Sequence, residues 1–129
     1  AGKRPISSMS PTIVFLGGDP VLCVGGSGGS RIPTAVAQVA LYVLKDGMHP
    51  AQAVVAPRVH HQAEPEQMEA RDVPAATLAE LTARGHKISI SQWSAQVQAI
   101  RIARNAEPGA APRLDAASDP VKGGQPRGE

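Results

Sequence analysis

Aromatic residues are nearly missing from this 129-residue chain: Phe15, Tyr42 and Trp93 are all it has. A core must therefore be built from Val, Ile, Leu and Ala. The length suits one domain that buries roughly two thirds of its unfolded surface. With so little aromatic area, marginal stability alone and membership of something larger are the expectation. Cysteine is as scarce. The single Cys23 excludes an internal disulfide, no Cys/His spacing fits a structural zinc site, and a small buried hydrophobe is its expected role. No apolar run is long enough to span a bilayer, and no leader segment is read at Ala1. The formal charge of +2 comes from scattered basic residues without interleaved aromatics, which argues against a nucleic-acid partner. No cofactor and no metal are expected, and no internal repeat is visible.

What is present begins with two β-rich runs, 12–16 (TIVFL) and 21–25 (VLCVG), joined by Gly17-Gly18-Asp19-Pro20. They read as a hairpin, and their near-continuous apolarity predicts a sheet covered on both faces. A glycine–serine run follows. From Ile32 the period changes, with Ile32, Val36, Val39, Ala40, Val43 and Leu44 on one helical stripe, Pro33 in the first turn and Gly47 past the end. A short helix is predicted over Pro50–Ala56. An extended stretch is predicted over 58–62, an acidic surface loop over 63–73 and a helix over Pro74–Arg84. Residues 86–91 and 96–103 read as two strands paired with each other across a short connection. Residues 105–113 read as loop, and Asp119–Glu129 as a loosely held tail.

The run 25–30 (GGSGGS) stands between a strand and a helix start, where free N–H groups suit an anion. Two phosphate motifs fail on spelling. No Lys completes a P-loop, and Arg31 stands where the dinucleotide fingerprint needs its third glycine. A third use remains. Successive backbone N–H groups without side chains can aim at one oxygen, forming an oxyanion hole. On spelling alone that reading and a flexible spacer stand equal.

Four motifs in order tilt the balance: "RPISSMSPTIV" (4–14), "GGSGGSRIPT" (25–34), "APRVHHQ" (56–62) and "AASDP" (116–120). The chain closely resembles the C-terminal part of the small subunit of γ-glutamyltransferases, also called γ-glutamyltranspeptidases or glutathione hydrolases. The likeness runs from about Gly2 to about Gly124. It implies an α+β chain, part of the four-layer αββα sandwich of N-terminal nucleophile hydrolases. Residues 1–118 would be the C-terminal part of that subunit and 119–129 its tail. It implies acyl transfer: a γ-glutamyl group passes from glutathione or another γ-glutamyl compound to an N-terminal Thr. From there it passes to water or to an amino acid or peptide acceptor.

By position, Ser7 and Ser8 match the serine pair that holds the γ-glutamyl α-carboxylate, and Gly28 and Gly29 match the pair whose N–H groups form the oxyanion hole. Ser27 stands where the family commonly has Pro. The nucleophilic Thr of the family precedes the first motif and is not in this chain; Thr12 and Thr34 do not replace it. The resemblance therefore implies partners, namely the large subunit and the rest of the small one, and predicts no turnover by this chain alone. A related cephalosporin or glutaryl acylase on the same scaffold is the alternative, as is a folded but inert piece. His60 and His61, adjacent on a strand, point to opposite faces and make a poor metal pair. Arg31 is expected to anchor the glycine loop through an ion pair, with Asp119 as a candidate partner. A periplasmic or secreted bacterial location follows from the family only.

Overall fold

The computed structural model describes residues 2–4, 6–62, 67–92, 94–105 and 109–126. Its elements in chain order are β1 (Thr12–Leu16), β2 (Asp19–Ser27), α1 (Ile32–Leu44), α2 (Pro50–Ala53), β3 (Arg58–His61), β4 (Met68–Arg71), α3 (Ala75–Ala83), β5 (Ile88–Ile90), β6 (Gln96–Ala103) and β7 (Arg113–Ser118). Short 3-10 turns lie at Gly29–Arg31 and Pro120–Lys122. The chain is α+β, as the sequence implies.

The hairpin forms, but its turn is tighter than the Gly-Gly-Asp-Pro spelling suggests. Leu16 pairs with Asp19, leaving Gly17 and Gly18 as the two loop residues, with φ of +60° and +92°. Both angles lie where only glycine sits without strain, and a two-residue hairpin loop asks for them. β6 pairs with β2 and β7 with β6, so the first sheet is antiparallel in the order β1-β2-β6-β7.

The register divides this sheet into two faces. Thr12, Val24, Ala99 and Ala117 share one, and Ile13, Cys23, Ile100 and Ala116 the other. α1 and α2 pack on the first face. Leu22, Val24, Val97, Ala99 and Ala117 meet Val36, Val39 and Val43 of α1 there. Leu44, assigned to the helix stripe by spacing, is instead exposed. The second face carries no layer from the described residues. Ile13 is 59% exposed and Leu114 60%, and Cys23 is half-buried. The expected cover on both faces is therefore not realised among the described residues, and Cys23 is not a core residue.

The second sheet has the order β3-β4-β5. β3 and β4 are antiparallel, whereas β4 and β5 run parallel with α3 as the crossover. Two readings change here. The acidic stretch expected as loop contains β4, whose Met-Glu-Ala-Arg has no strand preference. It is extended because it is the central strand, paired on both sides. (Residues 63–66 of that stretch lie outside the described ones, as do Trp93 and residues 106–108 and 127–129.) β5 does not pair with β6. Residues 91–95 carry the chain from one sheet to the other. The tail expectation meets a fully buried Asp119, whose N–H donates to the Val97 carbonyl at 3.0 Å.

Candidate active site

β2 runs out at Ser27, and the two glycines after it are required for different reasons. Gly28 has φ +148° and Gly29 φ +61°. A Cβ on Gly28 would stand 2.5 Å from Ala95 Cα, so two backbones touch there. A Cβ on Gly29 would meet nothing within 4 Å; only its left-handed angle demands glycine. The first bond of the following turn runs from the Arg31 N–H to the Gly28 carbonyl at 3.4 Å. The N–H groups of Gly28, Gly29 and Ser30 precede that bonded turn, and these residues are exposed. Adjacent N–H groups at the open start of a helical segment can receive a negatively charged oxygen.

The far end of the loop is tied down. The Arg31 guanidinium makes a two-pronged ion pair with the Glu69 carboxylate of β4. The hydrogen bond from Arg31 holds the Glu69 carboxyl below the usual range and raises Arg31 in turn. The Thr34 hydroxyl lies 3.1 Å from the Arg31 carbonyl and 2.8 Å from His60 Nδ1, and His60 Nε2 lies 3.1 Å from Gln62 Oε1. Thr34 is thus engaged in fastening α1 to β3. His60 is buried and His61 exposed, as adjacent strand positions require. The anchoring role of Arg31 holds, but its partner is Glu69 and not Asp119.

Asp119 is engaged elsewhere. Its Oδ2 accepts from Arg58 Nη2 at 2.7 Å and from Arg71 Nη1 at 2.8 Å, while Oδ1 accepts from the Val121 N–H at 3.2 Å. Burial alone would push the Asp119 carboxyl up. The bonds from Arg71, Arg58 and Val121 outweigh it and hold the carboxyl below the ordinary aspartate range. Arg58 is pulled down, chiefly by burial, against the raising bond to Asp119. Both guanidiniums also reach the Ser94 Oγ, at 3.2 Å and 3.1 Å. A small cavity of about 10 Å³ lies between this cluster, α1 and β3.

Ser7 and Ser8 stand in the irregular segment before β1. Ser7 is exposed and Ser8 half-buried. The Ser7 hydroxyl accepts from the Met9 N–H at 3.2 Å, and the Ser8 carbonyl accepts from the Ser10 hydroxyl at 3.1 Å. Thr12 pairs with Val24 in the hairpin. Ser8 is four residues before Thr12 and Gly28 four residues after Val24, so both stretches leave the hairpin at one end. No hydrogen bond joins them among the described residues. Glu69 and Ser94 carry no sequence signal. Glu69 sits in an acidic run that reads as surface, and Ser94 is an isolated serine in a crossover.

A family model described as Gamma-glutamyltranspeptidase matches residues 1–128. The glutathione hydrolase proenzyme of Escherichia coli (strain K12) is 39% identical over 119 residues, 92% of this chain and 20% of that protein. The glutathione hydrolase proenzyme of Bacillus subtilis (strain 168) is 40% identical over 101 residues, 78% of this chain and 17% of that protein. A crystal structure of a mutant Helicobacter pylori gamma-glutamyltranspeptidase superimposes with TM-score 0.85 at 37% identity, covering 93% of this chain and 64% of that one. The chain thus spans about a fifth of the length of these curated relatives.

Proposed function

This chain belongs to the gamma-glutamyltranspeptidase family, and from that premise we propose that it supplies the oxyanion hole and the α-carboxylate subsite of a γ-glutamyl-transferring enzyme. The observation that carries the reading is the pair Gly28-Gly29. Both have positive φ, both are exposed, and the loop is anchored at Arg31. The donor is glutathione or another γ-glutamyl amide. A threonine hydroxyl from outside these residues adds to the γ-carbonyl carbon. Negative charge develops on the carbonyl oxygen, and the N–H groups of Gly28 and Gly29 receive it. The C–N bond breaks, the amine leaves with a proton, and a γ-glutamyl ester remains. Water, or the amine of an amino acid or peptide, then takes the acyl group. Ser7 and Ser8 donate to the substrate α-carboxylate, which fixes the γ-glutamyl group in one orientation. Residues 1–118 belong to the C-terminal part of a small subunit and 119–129 to its C-terminal tail. The rest of that subunit and a large subunit complete the enzyme, in the periplasm or outside a bacterial cell.

The test is a substrate panel on the protein at the length of its relatives. γ-Glutamyl anilides should be cleaved, whereas butyryl anilides, which lack both the α-carboxylate and the α-amino group, and glutaryl anilides, which keep the carboxylate but lack the α-amino group, should not. Cleavage of glutaryl but not γ-glutamyl amides would replace this reading with an acylase. The 129-residue chain alone should release nothing from a γ-glutamyl anilide.

A further inference from the structure

We propose that Ser94 is a positioning residue for the glycine pair: held by the guanidiniums of buried Arg58 and part-buried Arg71, it keeps Ala95 against Gly28 and so sets where the N–H groups of the pair point. The inference deepens the oxyanion reading and rests on it. Its starting point is the contact at Gly28, where a side-chain carbon would stand 2.5 Å from Ala95 Cα and 2.8 Å from its Cβ. Gly28 lacks a side chain so that Ala95 can occupy that space, and whatever fixes Ala95 fixes the start of the loop.

Ser94 is fixed to an unusual degree for a crossover residue. Its Oγ accepts from Arg58 at 3.2 Å and from Arg71 at 3.1 Å, and it lies 3.3 Å from the Ala95 carbonyl, to which its own hydrogen is donated. Two acceptances and one donation use the whole bonding capacity of a hydroxyl. Both donors are charged, which strengthens the bonds. The guanidiniums are themselves held: their side chains are 2% and 10% exposed, and both meet the fully buried Asp119 carboxylate. Three further bonds close the frame. Gln96 Nε2 donates to the Ser94 carbonyl at 3.2 Å, the Ser27 Oγ lies 3.4 Å from Gln96 Oε1, and the Asp119 N–H reaches the Val97 carbonyl at 3.0 Å. The residue before Gly28 is thus tied to Gln96, the residue that follows Ala95 and opens β6. The frame acts on the oxyanion donors without touching substrate.

The small cavity beside Ser94, Arg58 and Arg71 lets the idea be tested without losing the fold. Its volume of about 10 Å³ is close to what one water needs, so a water can take up the N–H groups that a missing hydroxyl releases. The experiment compares Ser94→Ala and Ser94→Thr with wild type, in the protein at the length of its relatives. Two readouts are taken: hydrogen exchange of the backbone amides over 26–31, and steady-state kinetics with a γ-glutamyl anilide. Ser94→Ala should speed exchange in that segment and lower kcat, each about tenfold, with KM within about twofold. Ser94→Thr keeps the hydroxyl and should stay within about threefold of wild type in both. Unchanged exchange over 26–31 overturns the proposal. So does a fall in thermal stability with exchange rising evenly along the chain and kcat per folded molecule unchanged. If the segment loosens in Ser94→Ala while wild type itself cleaves no γ-glutamyl substrate, the brace stands and the functional reading falls.

Discussion

Gly28 and Gly29 are chemically identical and sit side by side, yet they should respond differently to the same methyl group. In Gly28→Ala the new carbon is built 2.5 Å from Ala95 Cα, whereas ordinary contact begins at 3.4 Å. Backbone must therefore move by about 1 Å, because Ala95 is fully buried and cannot swing aside. Overpacking of this kind costs ~1–3 kcal/mol. A shift of about 1 Å in a catalytic group can cost ~10²-fold in rate, the same order as losing one oxyanion donor. Gly29→Ala meets nothing within 4 Å. It carries only the left-handed penalty, ~1–2 kcal/mol. Gly28→Ala should lower kcat about 100-fold with KM nearly unchanged. Gly29→Ala should stay within about tenfold of wild type. Gly29→Val should fall well below Gly29→Ala, because a β-branched residue tolerates that angle far less. The assay is steady-state kinetics on folded, correctly processed variants of the protein at the length of its relatives. Near wild-type kcat in Gly28→Ala, or a larger loss in Gly29→Ala than in Gly28→Ala, would refute both the crowding argument and the oxyanion assignment.

Ser8→Ala should raise KM and leave kcat close to wild type, since a carboxylate contact exists in ground and transition states alike; a selective fall in kcat would count against it. Asp119→Asn removes the buried carboxylate between the Arg58 and Arg71 guanidiniums and should cost about 3–5 kcal/mol, read from denaturant unfolding, with an unchanged midpoint as the opposing result. Acid should act through the same group. The Asp119 carboxyl is held below its ordinary value in the folded state, so as pH falls the unfolded chain binds the proton first. The stabilisation from Asp119 is therefore complete above the unfolded carboxyl value of ~3.9 and is lost as pH drops through and below it. The unfolding midpoint should decline more steeply below about pH 4 in wild type than in Asp119→Asn, and equal slopes would rule Asp119 out as the cause.

The parts of the fold legible in the sequence are those where local pattern and tertiary position agree. The hairpin, α1 with its proline start, and α3 ending before Gly85 all carry their own punctuation. β4 and β7 do not. Met-Glu-Ala-Arg and Arg-Leu-Asp-Ala-Ala-Ser lack β-branched residues, and they are strands because a neighbour's backbone is unpaired beside them. β5 was legible as a strand but not in its partner, since pairing is decided by where the crossover at 91–95 delivers the chain. At the site, the glycines announce themselves by type, and Arg31 by its charge next to them. Glu69, Arg71 and Ser94 do not, because their roles come from long-range bonds. The Arg58–Asp119 bond spans 61 residues, and no local window contains it.

That span has a consequence for timing. The glycine loop is made early and its frame late: the carboxylate that holds Arg58 and Arg71 follows Gly28 by about ninety residues of sequence. A ribosome adds residues at roughly 5–20 per second, so on the order of 5–20 seconds separate the two. During that interval the loop is present in the growing chain but unsupported. The ion pairs of Asp119 therefore cannot form until most of the chain has been made. A chain truncated before residue 119 would carry the glycine pair and every motif upstream of it, and would still lack the frame around Ala95.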